Sequence, residues 1–134
     1  PDAAIGSDLI AGYPGESEDD AQRTLDYVAG SPLTYLHVFP YSARPGTEAV
    51  ALSGRVAGPI IRARAQRLRA VGGQLAAAFR QRQIGREREA IALDAEGLVL
   101  TDNYLKVRVL AGVKPNSLLR VRIDSAEPLT GVVT

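Results

Sequence analysis

Leu33-Thr-Tyr-Leu-His-Val-Phe-Pro-Tyr-Ser-Ala-Arg-Pro-Gly-Thr47 opens as a short apolar run of β-forming residues and breaks at Pro40. Past the break it becomes a polar loop, punctuated by Pro and Gly, that carries Tyr41, Ser42, Arg44 and Thr47. Hydrophobicity on both faces of a short run is the pattern of a strand buried in a parallel sheet. In parallel α/β folds the working groups stand on loops just past the carboxyl ends of strands. The stretch therefore reads as a core strand delivering a functional loop. The plain alternative is a core strand followed by an ordinary turn.

Upstream, Ile5-Gly-Ser-Asp-Leu-Ile-Ala-Gly12 is a second short, mostly apolar run and predicts another buried strand. Tyr13-Pro-Gly-Glu16 follows as a turn, since Pro presets φ and Gly permits a positive one. Ser17-Glu-Asp-Asp20 matches a capping box, and its acids suit the positive end of a helix dipole. Ala21, Leu25 and Val28 then give one apolar stripe, ended by Gly30-Ser-Pro32. Strand, capped helix and strand make a βαβ unit with parallel pairing and a right-handed crossover. The loops 13–16 and 40–47 would then share one face of the sheet. The acidic helix surface reads as solvated, and His37 as a packed or hydrogen-bonded core residue rather than a catalyst.

Downstream, Ile61, Ala65, Leu68, Val71, Leu75 and Phe79 keep helical spacing, predicting a long helix from about Gly58 to Arg82 with Pro59 in its first turn. Gly72 and Gly73 in its interior cost roughly 1 kcal/mol each relative to Ala, which predicts a bend or a tight contact. From Ile84 the pattern shortens and alternates. Segments 87–93, 98–101, 104–110, 118–123 and 132–133 are separated by turn-prone runs, the pattern of a five-stranded barrel. The expected class is α/β plus all-β, with domains 1–83 and 84–134.

Alternation on the barrel strands puts Tyr104, Lys106 and Arg108 on one face, and Arg120 and Arg122 on the like face of a later strand. If those strands are neighbours, one outer face carries a stacking ring and four cations, a surface suited to single-stranded or looped RNA. An ordinary polar barrel exterior alternates in the same way.

The net charge of +1 hides segregation. Residues 1–54 hold eight acids against Arg23 and Arg44, a balance of −6; residues 55–88 hold nine Arg against Glu87, a balance of +8. That basic middle points to a polyanion partner or to a solvated Arg-rich helix. With no Cys in the chain, disulfides, thiolate metal sites and Cys nucleophiles are excluded within it, and its one His makes no multi-His metal site. No stretch reaches the length of a membrane span, so no membrane partner is expected. The start, Pro-Asp-Ala-Ala, reads as lacking a signal peptide and, without Met, as if the chain began mid-protein.

Taken in order, these segments resemble the radical S-adenosylmethionine methylthiotransferases. Ser7-Asp-Leu-Ile-Ala-Gly-Tyr-Pro-Gly-Glu16 is similar to the family's fifth-strand motif, and His37-Val-Phe-Pro-Tyr-Ser-Ala-Arg-Pro-Gly-Thr47 to its sixth strand and loop. A long Arg-rich helix and a terminal small β-barrel, the family's TRAM domain, follow. Thr101-Asp-Asn-Tyr104 with Leu-Lys-Val resembles the branch acting on threonylcarbamoyladenosine in tRNA.

The resemblance implies the end of a partial (β/α) barrel followed by an OB-like five-stranded barrel. The parent enzyme would place a 2-methylthio group on the modified adenosine beside the anticodon. It would use S-adenosylmethionine, cleaved reductively to a radical, and two 4Fe–4S clusters. Cofactor contacts fall on Ile10, Gly12, Val38 and Phe39; Tyr41, Ser42, Arg44 and Thr47 face the substrate; Tyr104, Lys106, Arg108, Arg120 and Arg122 meet RNA. No catalytic residue and no metal ligand is assigned to this chain. The superfamily pattern G-x-I-x-G-x-x-E is met in part, with Asp8 at the first Gly and Glu16 one residue late.

The cluster cysteines are missing, so the chain reads as the last third of a longer, cytoplasmic protein. Its implied partners are the tRNA anticodon stem-loop and the rest of the same enzyme, with self-association possible at an open sheet edge. Alternatives are a non-catalytic RNA-binding module, an enzyme for isopentenyladenosine in tRNA, and one for a ribosomal-protein aspartate.

Overall fold

A computed structural model describes residues 2–110 and 112–134. The chain divides into two compact units, residues 5–76 and residues 2–4 together with 77–134.

The first unit is built on β1 (Gly6–Ala11), α1 (Glu18–Ala29) and β2 (Tyr35–Pro40), followed by a 3₁₀ turn Glu48–Ala51 and the long helix α2 (Gly58–Gln81), whose residues from 77 onward belong to the second unit. The strands pair in parallel, from Gly6 opposite Tyr35 to Ala11 opposite Pro40, so β1–α1–β2 is a βαβ unit. Ser17 caps α1 as expected: its hydroxyl accepts from the Asp20 N–H while the Asp20 carboxylate accepts from the Ser17 N–H. Ahead of the ladder, the Thr34 N–H donates to the Ile5 carbonyl at 2.7 Å, and the Thr34 hydroxyl accepts from the Ile5 N–H at 2.9 Å. This clamp fixes the register.

The core of this unit gathers Ala11, Leu25, Val38, Ala65 and Leu68, with Leu9, Leu36 and Val71 packed on it. Each fully buried Leu or Val of this kind contributes roughly 1.5–3 kcal/mol. Helix α2 runs unbroken through Gly72-Gly73, and the expected tight contact lies at Gly72, where a Cβ would press on the Leu36 side chain.

The structure corrects one reading of the strands. Only one face is covered, that of Ser7, Leu9 and Ala11 with Leu36 and Val38 in the matching register, and Pro40 at its end is exposed. On the other face stand Gly6, Asp8 and Ile10 opposite Tyr35, His37 and Phe39, and every one of these residues is exposed. An apolar run reports what each side chain prefers, whereas burial on the second face requires a second layer.

The second unit is a closed barrel of β3 (Glu87–Ala92), β4 (Leu98–Thr101), β5 (Lys106–Val109), β6 (Leu118–Ala126) and β7 (Leu129–Val133), in the order β3-β4-β5-β7-β6. Pairing is antiparallel except between β5 and β7, and this mixed barrel is consistent with the small barrel expected. Its interior is filled by Ala90, Ala92, Val99, Val107, Val109, Val121 and Ile123. Small and β-branched side chains suit so narrow a barrel.

At the barrel's end a buried polar network replaces apolar packing. The Gln83 side-chain oxygen accepts from Arg88 at 2.8 Å and from the Asn103 amide at 3.0 Å. The Asn103 amide also donates to the Asp2 carbonyl, and the Thr101 hydroxyl donates to the Asn103 oxygen at 2.7 Å. Gln83, Thr101 and Asn103 are all buried, and every fully buried side-chain nitrogen and oxygen among the described residues has a partner. Such satisfaction avoids the 1–3 kcal/mol that an orphaned group costs, about as much as a buried apolar side chain gains.

Candidate functional site

A groove of about 540 Å³ lies on the open face of β1–β2, where the strands give way to their loops. Ile10 and Phe39 are register partners, so their exposed side chains stand abreast and form an apolar floor. The Tyr41 N–H donates to the Ala11 carbonyl at 2.8 Å, carrying the ladder one residue past Pro40. This sets the Tyr41 ring edge-on to Tyr13, with centroids 5.6 Å apart. Arg44, Gly46 and Thr47 form a turn in which the Thr47 hydroxyl donates to the Arg44 carbonyl at 2.8 Å. Asp8, Ser42, Arg44 and Thr47 complete the polar lining.

Six of the eight residues expected on the cofactor and substrate sides thus meet in one groove: Ile10, Phe39, Tyr41, Ser42, Arg44 and Thr47. Val38 lies on the opposite, core-facing side of β2. Gly12 is buried at the end of β1 with φ +79°, and a Cβ there would collide with Ile61 of α2. His37 is not a core residue: it stands on the open face and donates to Asp8 at 3.1 Å. Strand alternation puts His37 with Tyr35 and Phe39 rather than with Val38, so the apolar neighbours in sequence misled the reading.

The turn that carries Tyr13 is held from beneath by ion pairs. Glu16 Oε2 accepts from the Gly12 N–H at 2.8 Å and from Arg64 Nη1 at 2.8 Å. Arg64 also donates to the Glu16 carbonyl and to Glu18, and Arg67 donates to Glu18 at 2.6 Å. Burial alone would lower the Arg64 pKa, but the Glu16 and Glu18 carboxylates outweigh it and raise the value. Hydrogen bonds from Arg67 first, and then from Arg64, hold the Glu18 carboxyl below its ordinary value. The Ser17 hydroxyl and amide do the same for Asp20. The acidic start of α1 is therefore tied to α2 through Glu18 rather than merely solvated. Arg64 was the available signal, because it falls between Ile61 and Leu68 on the apolar stripe of α2, where a cation needs a partner.

On the barrel, the five residues expected to meet RNA are all exposed, but not as one continuous face. Strand β7 lies between β5 and β6, so Arg108 neighbours Thr130, and Arg122 neighbours Val132. On its other side β6 pairs with β3, which sets Arg120 opposite Glu89 and Arg122 opposite Glu87. Arg108 donates to the Glu96 carbonyl at 3.2 Å. The reason is topological: alternation gives the face of each strand, not the order of the strands.

Tyr104 precedes β5 in the left-handed region, with φ 63°, and the residue is 76% exposed. Thr101 and Asn103 are turned inward to the polar network, so the 101–104 run is a device that thrusts Tyr104 out. Sequence reasoning missed Arg80, which shares a shallow hollow of about 390 Å³ with Lys106 and Pro128. Among the described residues no group of three or more His, Cys, Asp or Glu side chains could hold a metal ion. Among the same residues no helix is long and apolar enough to cross a membrane.

No family model matches this chain. Curated relatives do. The threonylcarbamoyladenosine tRNA methylthiotransferase MtaB of Aquifex aeolicus (strain VF5) is 33% identical over 123 residues, covering 92% of this chain and 30% of the relative. A tRNA-2-methylthio-N(6)-dimethylallyladenosine synthase of Mycobacterium sp. (strain MCS) is 42% identical over 97 residues, covering 72% of this chain and 18% of the relative. The enzyme of that name from Acidothermus cellulolyticus is 36% identical over 128 residues, covering 96% of this chain and 25% of the relative. The chain thus spans 18–30% of the length of these relatives. Relatives of both names align with the βαβ unit and the barrel alike, and the similarity supports the tRNA methylthiotransferase family for this chain.

Proposed function

We propose that this chain is part of a tRNA methylthiotransferase, in which the β1–β2 groove forms one wall of the nucleoside-binding site and the barrel binds the RNA. The observation that carries the reading is the groove: an apolar floor of Ile10 and Phe39, lined also by Tyr13 and Tyr41, at the carboxyl ends of parallel strands. Flat apolar rings flanked by a few polar groups are what such a site takes.

S-adenosylmethionine fits this arrangement, with its adenine on Ile10 and Phe39; when bound, it would supply the methyl and radical chemistry. The chain's own residues would do the rest. Gly12 lets the turn pass close over α2, Arg64 and Glu16 hold that turn, and the two tyrosines add aromatic surface beside the floor. The substrate nucleoside would approach from the loop side, past Ser42, Arg44 and Thr47. The 4Fe–4S clusters do not fit this chain, which lacks Cys, so their ligands would lie elsewhere in the enzyme. The open edges of β1–β2 are where further strands would join, or where copies of the isolated chain would associate.

For the tRNA nucleoside, the 101–104 run favours threonylcarbamoyladenosine. A second reading, dimethylallyladenosine, is favoured by the relatives that share 36–42% identity. The test is mass spectrometry of tRNA nucleosides from cells lacking the gene that encodes this chain. Loss of the 2-methylthio group from the threonylcarbamoyl nucleoside supports the first reading, and loss from the dimethylallyl nucleoside the second. Retention of both would overturn the function.

A further inference from the structure

One polar pair on the open sheet face is required neither by the fold nor by the roles assigned above. Asp8 and His37 are register partners, and His37 Nδ1 donates to Asp8 Oδ1 at 3.1 Å. Their side chains are 75% and 63% exposed, and an ion pair so exposed adds little to stability. Asp8 nevertheless lines the groove, one step along the same face from Ile10 and Phe39. The apolar floor is therefore bounded by a carboxylate at one end and by Ser42, Arg44 and Thr47 at the other.

We propose that Asp8 is a ligand-recognition residue of this groove, accepting hydrogen bonds from the ribose hydroxyls or amino group of an adenosine-type ligand, with His37 as its positioning residue. The inference rests on the nucleoside reading of the groove. An ionised carboxylate only accepts, and an adenosine moiety lying on Ile10 and Phe39 offers donors at its edges. His37 engages Oδ1, leaving Oδ2 for the ligand, and restrains a side chain that would otherwise lose rotamer freedom on binding. The same negative charge disfavours a phosphate at that end, so the group beside Asp8 is a sugar or an amine rather than the RNA backbone.

Two sources share this chemistry, the adenosyl moiety of the cofactor and the nucleoside of the tRNA. The full-length protein is titrated calorimetrically with S-adenosylhomocysteine and, separately, with an anticodon stem-loop. Wild type, Asp8→Ala, His37→Ala and the double variant are compared. Asp8→Ala is expected to weaken at least one probe by about tenfold, the usual cost of a hydrogen bond to a charged group. The probe that weakens identifies the source. His37→Ala should weaken the same probe by less and add nothing in the Asp8→Ala background, while thermal midpoints stay put because both side chains are exposed. Undiminished binding of both probes by Asp8→Ala overturns the proposal, and an additive His37 effect overturns the positioning role. If wild type binds neither probe, the nucleoside reading of the groove fails as well.

Discussion

Arg64 and Glu16 meet at 2.8 Å beneath the turn that ends β1, and the same Glu16 oxygen accepts the Gly12 N–H. Both side chains are largely buried, at 8% and 15% exposure, so removing one partner strands the other's charge. Arg64→Ala should cost about 3 kcal/mol, read as a lower urea midpoint at unchanged slope. Arg67→Ala, which loses only an exposed contact to Glu18, should cost no more than about 1 kcal/mol.

Glu18 and Asp20 both have folded-state pKa values below their ordinary ones, through Arg67 and Ser17 respectively. A depressed carboxyl contributes stability that is fully present above its unfolded pKa and lost as pH falls through the folded value. Stability should therefore be flat near neutrality and decline below about pH 4. Ser17→Ala should lower stability at neutral pH by about 1 kcal/mol and make the acid limb shallower, as followed by circular dichroism across a pH series.

Gly97 opens the path into β4 with φ +93°, and a Cβ there would run into the Val109 carbonyl oxygen. Gly46, in the groove loop, also has positive φ but open space around it. Gly46→Ala should therefore cost about 1 kcal/mol, and Gly97→Ala about 3 kcal/mol or more, because the barrel backbone must shift. Thermal melts of the two variants check the order.

If the barrel binds RNA, Tyr104 and Lys106 should fail in different ways. Lys106→Ala should reduce the slope of log affinity against log salt by about 1, as expected for one lost phosphate contact. Tyr104→Ala should weaken binding by about 1–3 kcal/mol at every salt concentration and leave the slope alone, as expected for a lost stacking ring. Arg120→Ala should do least, since Glu89 stands opposite it. A salt series with an anticodon stem-loop measures all three.

Local signals carried the elements. The Ser17–Asp20 box, the 21-25-28 stripe, the α2 spacing and the alternation from residue 87 onward each rest on contacts within one turn or one strand, so they are legible in the chain itself. The groove was legible too, because loops past the ends of parallel strands must gather at one edge of the sheet. That placed the 13–16 and 40–47 loops together, whereas Ile10 and Phe39 were pointed to only by the family resemblance.

What only the tertiary structure decided depends on which strands are neighbours. Alternation assigned Arg108 and Arg122 to outer faces, but the order β5-β7-β6 put a strand between them, and the β3 pairing set acids opposite Arg120 and Arg122. His37 looked internal because its sequence neighbours are apolar; parallel register placed it opposite Asp8 on the open face instead. Arg64 and Glu16 lie 48 residues apart, and nothing local marks them as partners. Sequence fixes side-chain periodicity through backbone geometry, whereas pairing across the chain is settled by which buried surfaces and charges find each other once it has folded.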